Sequence, residues 1–147
     1  LEAAAVMRDV GRVKRERKHQ KSSYKLIRKL ELPLGWREND LEMAALIARY
    51  HRGALPNSRN REFSGLTEPQ KRQTIMLAGI LRLIDAVDWQ LGGKVRSLEV
   101  EQTEEVIRVW AKGATDTNSF EKIAAARHLL EVAYQRAVLV GIRPRAA

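Results

Sequence analysis

Three histidines, His19, His51 and His128, bound the imidazole chemistry open to this chain, and no cysteine is present to supply a thiolate. Imidazole and carboxylate groups together can hold divalent ions that activate water and clamp phosphoryl oxygens. Asp85 and Asp88 stand at i and i+3 in the most apolar stretch of the sequence, which puts two carboxylates on one helix face. Acids in such a stretch need partners, because burying an unpaired charge is costly. An ion pair with Arg82 or Arg49 is one solution, and ligation of a metal together with His51 and Asp9 is the other. His51 ends the run Arg49-Tyr50-His51-Arg52-Gly53, where an imidazole can reach across a helix end to another element. His128, next to Leu129 in a later helix, reads as structural.

The second chemistry is electrostatic. The formal charge is +9, from 27 Lys+Arg against 18 Asp+Glu, and nearly all the excess lies between Arg8 and Lys29. Arg8, Arg12, Lys14, Arg15, Arg17, Lys18, Lys21, Lys25, Arg28 and Lys29 face only Asp9 and Glu16 there. Clustered cations create a local potential that draws anions in. We expect a polyanion-binding face formed by Arg15, Arg17, Lys18, Lys21, Lys25, Arg28 and Lys29. Close-spaced Lys and Arg suit a linear phosphate chain, because each neutralised phosphate releases a counterion without any sequence being read. A nucleic acid is the weaker alternative: Tyr24 is the one aromatic in the run, at a core-like helical position, so a base-stacking platform is missing.

These residues need elements to hold them. Ala3 to about Val13 has helical spacing, and so has Lys18 to Leu30, with Tyr24, Ile27 and Leu30 on one face; Pro33 and Gly35 then break the chain. Asn39 with Glu42 has capping-box spacing for a helix over 40–52 stopped by Gly53, and Asn57–Arg61 is a polar, basic loop. Thr67-Glu68-Pro69-Gln70 opens the most apolar helix, the expected central core element, which ends at Gly92-Gly93. Alternation at Val95, Leu98 and Val100, then Val106–Trp110, predicts a hairpin; a helix over about Ser119–Gln135 and a strand at Ala137–Val140 follow. The fold class is therefore mainly α: a helical bundle over 1–91 and a small α/β appendage over 92–147, within one domain. No apolar run is long enough to span a bilayer and no secretory leader is recognisable, so a cytoplasmic protein with no membrane partner is expected. The start at Leu1 suggests an N-terminally truncated fragment, and the apolar helices or last strand could support a homodimer.

Four ordered segments resemble one family. Met7-Arg8-Asp9-Val10-Gly11, His19-Gln20-Lys21-Ser22-Ser23-Tyr24-Lys25-Leu26-Ile27, Leu46-Ile47-Ala48-Arg49-Tyr50-His51-Arg52 and Leu81-Arg82-Leu83-Ile84-Asp85-Ala86-Val87-Asp88 are similar to signatures of the C-terminal domain of exopolyphosphatase/guanosine pentaphosphate phosphatase (Ppx/GppA) proteins, over roughly residues 4–91. The resemblance implies an HD-like helical domain of a hydrolase. It also implies polyphosphate or a guanosine polyphosphate as partner, and cleavage by a separate N-terminal actin-like ATPase-fold module. Such a module is not visible in this sequence: Gly92-Gly93 lacks the spacing and the Lys-Ser/Thr of a phosphate loop.

The departures from the family pattern matter most. Its first motif carries His-Asp and its second a His before Ser-x-Tyr, and here those two histidine positions hold Arg8 and Ser22. Arg8, Asp9, Ser22, His51 and Asp85 are thus the vestigial metal-site positions, with Asp9, His51 and Asp85 the remaining candidate ligands. A permanent guanidinium where an imidazole should stand repels a cation, so no cofactor is expected and the fragment alone is expected to be inactive. The alternative is an active metal-dependent phosphohydrolase that recruits His19 as a replacement ligand.

Overall fold

The computed structural model describes residues 1–13, 18–112 and 121–143. Arg15 and Arg17, and the expected helix start at Ser119 and Phe120, lie outside the described residues. The chain divides into two compact units, Leu1–Leu81 and Arg82–Ala147. Helices dominate the first, and the second holds a three-stranded sheet with one whole helix and the end of another, in keeping with a mainly α chain carrying a small α/β appendage.

The first unit opens with α1 (Glu2–Met7) and a 3-10 turn (Val10–Val13), where one continuous helix was expected. The break is set by contact with the next helix. A Cβ on Gly11 would lie 2.8 Å from the Ser22 carbonyl carbon and closer still to Ser23 N and His19 O, so this turn presses its backbone onto the next helix. Ser23, fully buried, completes the junction: its Oγ donates to Arg8 O at 2.7 Å and accepts from Gly11 N–H at 3.0 Å. These two backbone groups find a side chain in place of α-helical partners.

Helix α2 (His19–Ile27) buries His19, Ser23 and Ile27 at i, i+4 and i+8, while Lys21 and Lys25 stay exposed. It is shorter than the sequence suggested, so Leu30 falls beyond it, 49% exposed. Helix α3 (Glu38–Tyr50) starts two residues earlier than the Asn39 cap implied: Asp40, not Glu42, accepts the Arg37 N–H at 3.0 Å. Glu42 is turned to other partners described below. From Met43 to Tyr50 every residue of α3 is buried, which makes it the central helix of this unit. Ala4, Met43, Ala44, Ile47 and Leu81 pack together on one side, Ile27, Leu41, Ala45 and Ala48 on another, and Leu46, Tyr50, Phe63 and Ala78 on a third.

The polar segment after α3 is more ordered than a bare loop. Asn57 and Asn60 exchange backbone and side-chain hydrogen bonds and lead into α4 (Arg61–Ser64), which puts Phe63 in the core. Helix α5 (Glu68–Gln90) opens on the expected capping box, Gln70 Oε1 accepting the Thr67 N–H at 2.9 Å, and runs on from the first unit into the second.

In the second unit, β1 (Ser97–Gln102) and β2 (Val106–Lys112) form the expected hairpin, and β3 (Ala137–Arg143) joins β2 in parallel after the crossover helix α6 (Glu121–Tyr134). Ile107, Val109, Ala111 and Val138 are buried, alternating with less buried neighbours as a one-sided sheet requires. Arg127 Nη1 donates to Val138 O at 3.1 Å and Glu131 accepts the Val138 N–H at 3.3 Å, tying α6 to β3. On the opposite face Trp110 covers Gly141, where a Cβ would run into its ring, and the Arg143 guanidinium stacks 4.9 Å from the ring centre. No described helix is long and apolar enough to cross a membrane.

Candidate functional site

The junction between the 3-10 turn and α2 brings Asp9 over the first residue of α2. His19 Nε2 lies 3.0 Å from Asp9 Oδ1, close enough for the imidazole and the carboxylate to interact electrostatically. His51 caps the C-terminus of α3, fully buried, with its ring centre 5.5 Å from that of His19. Its Nδ1 is 2.7 Å from Ala48 O, and because a carbonyl only accepts, Nδ1 is the donor of this bond. One ligand-type atom from each of Asp9, His19 and His51 lies within 4.8 Å of the others.

Two arginines share this carboxylate. Arg12 Nε donates to Asp9 Oδ1 at 2.9 Å, and Arg8 Nε approaches Oδ2 at 3.8 Å. Burial pushes the Asp9 pKa up, but the Arg12 hydrogen bond and the charges of Arg12, Arg8 and His19 outweigh it, leaving the group below the ordinary aspartate value. Arg8 is also tied back to its own helix, its Nη1 donating to Ala5 O at 2.5 Å.

The site positions read from sequence fall on several elements. Arg8, Asp9 and His51 belong to the first unit, and His19 joins Asp9 and His51 there. Ser22 is half-buried on α2, beside the Ser23 hydroxyl that holds the turn. Asp85 lies on the part of α5 that belongs to the second unit, and Arg49, buried in the first, is 3.7 Å from Glu62 on α4 and stacks on the Tyr50 ring. Burial and the Glu62 charge push the Tyr50 hydroxyl pKa up to about 12. His128 is exposed on α6 instead of serving a core.

The polyanion candidates separate too. Lys18, Lys21, Lys25 and Lys29 are exposed, and among the described residues none of them is in an ion pair. Lys21, Lys25 and Lys29 recur every four residues, so they follow one ridge of α2 and its exit turn, about 6 Å apart along the axis at about 1.5 Å per residue. Arg28 is diverted: its Nε meets Glu42 Oε2 at 2.5 Å while Tyr24 OH donates to Glu42 Oε1 at 2.8 Å. Burial and this bond raise the Tyr24 pKa.

Sequence reasoning underweighted Arg12, Gly11 and Ser23. The i, i+4 repeat of His19 and Ser23 on α2 was the available signal, since it places both on one face. Their partner across the junction lay too far back in the chain for periodicity to reveal.

Among curated proteins, none matches this chain. A family model described as Ppx/GppA phosphatase, domain III, matches residues 1–131, which include the turn carrying Asp9, the lysine ridge of α2 and the His51 helix end, and the chain belongs to the Ppx/GppA phosphatase family.

Proposed function

We propose that this domain of an exopolyphosphatase-type phosphatase binds a phosphate chain and does not cleave one. The observation that carries the reading is the pairing of opposites at α2: outside, four exposed lysines, and inside, a carboxylate already engaged by Arg12, Arg8 and His19. The residues present fit a divalent ion poorly. A cation entering beside Asp9 would meet a guanidinium at hydrogen-bond distance from the oxygen it needs, and a guanidinium cannot lose its charge at any working pH. Ser22 and Arg8 replace two imidazoles of the family pattern, so the ligands that would offset that repulsion are missing.

The ridge works by charge alone. Polyphosphate, or the phosphate arms of a guanosine polyphosphate, lies along Lys18, Lys21, Lys25 and Lys29 and displaces its own counterions. Arg15 and Arg17 precede this ridge in the chain and extend the positive run. Bond cleavage falls to the actin-like module of the same protein that the family resemblance implies, with this domain retaining the substrate between turnovers. Charge reversal of Lys18, Lys21 and Lys25 to Glu is expected to weaken polyphosphate retention by about a hundredfold or more. Unchanged affinity, with an unchanged circular dichroism spectrum, would sink the proposal.

The close approach of Asp9, His19 and His51 favours one other reading, a metal-dependent phosphohydrolase with His19 as replacement ligand. Elemental analysis of the purified protein, with phosphate release followed with and without manganese, separates the two. Bound metal together with turnover, both lost in His19→Ala, would replace the binding proposal.

A further inference from the structure

Helix α2 ends at Ile27, and the chain then presents Leu30, Leu32 and Leu34 to solvent at 49%, 45% and 103% of full exposure. Leu34 is the most exposed large apolar residue of the described chain. Its position is built, not incidental. Pro33 O accepts the Trp36 N–H at 3.0 Å and Gly35 has a φ of 82°, which together define a type II turn with Leu34 at its first corner and Gly35 at its second. A Cβ on Gly35 would meet nothing within 4 Å, so the turn stands clear of the rest of the unit. Trp36 fixes its base, packed against the cluster around Met43 and Ile47 and the one around Ile27 and Leu41. Immediately before the leucines come Lys25 and Lys29, exposed, with Glu31 the only acid between Arg28 and Trp36.

We propose that the Leu30–Gly35 turn and the lysines that precede it form a docking surface for an anionic lipid bilayer. An apolar knob behind a basic collar matches the two layers of such a surface: leucines enter the acyl boundary while lysines stay at the negatively charged headgroups. The charge pattern disfavours a second copy as occupant, because an isologous contact through the knob would bring the lysines of both copies together. A free phosphate chain satisfies the lysines but leaves three leucines in water, so it accounts for half of the surface. The proposal shares Lys25 and Lys29 with the polyphosphate reading and does not rest on it. Docking of this kind needs no spanning helix.

The absence of cysteine gives a clean probe. Leu34→Cys, labelled with a polarity-sensitive fluorophore, is mixed with vesicles of phosphatidylcholine alone and of phosphatidylcholine with phosphatidylglycerol. Val100→Cys, on exposed β1, is the control. A blue shift at position 34 only, with the anionic vesicles only, is the expected result. In co-sedimentation, Leu34→Ser should bind those vesicles about tenfold or more weakly than the native chain, the loss expected for removing one leucine from the acyl boundary. Its polyphosphate retention should be unchanged, which separates failure of this proposal from failure of the other. Equal shifts at positions 34 and 100, no shift at 34, or native co-sedimentation of Leu34→Ser would overturn it.

Discussion

Ser23 shows how one hydroxyl can set the geometry of a site it does not enter. Buried and bonded to both Arg8 O and Gly11 N–H, it holds the turn that carries Asp9 against α2. Ser23→Ala leaves the buried Gly11 N–H and the half-buried Arg8 carbonyl without that partner and should cost about 1–3 kcal/mol in a urea melt. Gly11→Ala should be worse, because the added methyl meets the backbone of α2, which cannot yield as a flexible side chain would. The Asp9 carboxyl gives a second test. Its folded pKa is depressed, so its contribution to stability is present above the unfolded value of about 3.9 and is lost as pH falls through the lower folded value. Arg12→Ala removes the hydrogen bond and one charge, so the Asp9 carboxyl should titrate at higher pH by NMR, and the share of stability that Asp9 loses on acidification should shrink. An Asp9 titration unmoved by that substitution would mean that Arg12 is not its counterion.

The elements were legible where a local pattern governs them. Thr67 and Gln70 announced α5, and Val106–Trp110 announced β2, because capping and alternation act within a few residues. They were illegible where a distant partner decides. Nothing near Arg8 says that the helix must break there; the cause is Ser23, on another element. Asn39 and Glu42 had the spacing of a cap, yet Glu42 is drawn to Arg28 and Tyr24, and Asp40 takes the capping role two residues earlier. The site followed the same division: Asp9 and His51 could be named from motifs, while the approach of His19 and Arg12 to Asp9 depends on how the turn meets α2. The sheet offers a test at this scale. Gly141→Ala should displace Trp110 and with it the Arg143 stack, and the indole N–H resonance of Trp110 should shift while residues of the first unit keep theirs.

At the scale of the whole chain, charge is divided between inside and outside. The +9 excess gathers at one end of the sequence, and the structure sorts its described part into arginines that face carboxylates and lysines that face water. A domain meant to grip a divalent ion would be expected to leave its carboxylates for the metal; this one sets guanidiniums against Asp9. The lysine ridge suits a ligand recognised by its charge density. The most direct test of that account is the affinity of the native chain for labelled polyphosphate across a salt series. Log affinity should fall linearly with log salt, and the slope should flatten by about one unit for each ridge lysine changed to Ala. A salt-independent affinity, or a slope that Lys21→Ala and Lys25→Ala leave untouched, would contradict it.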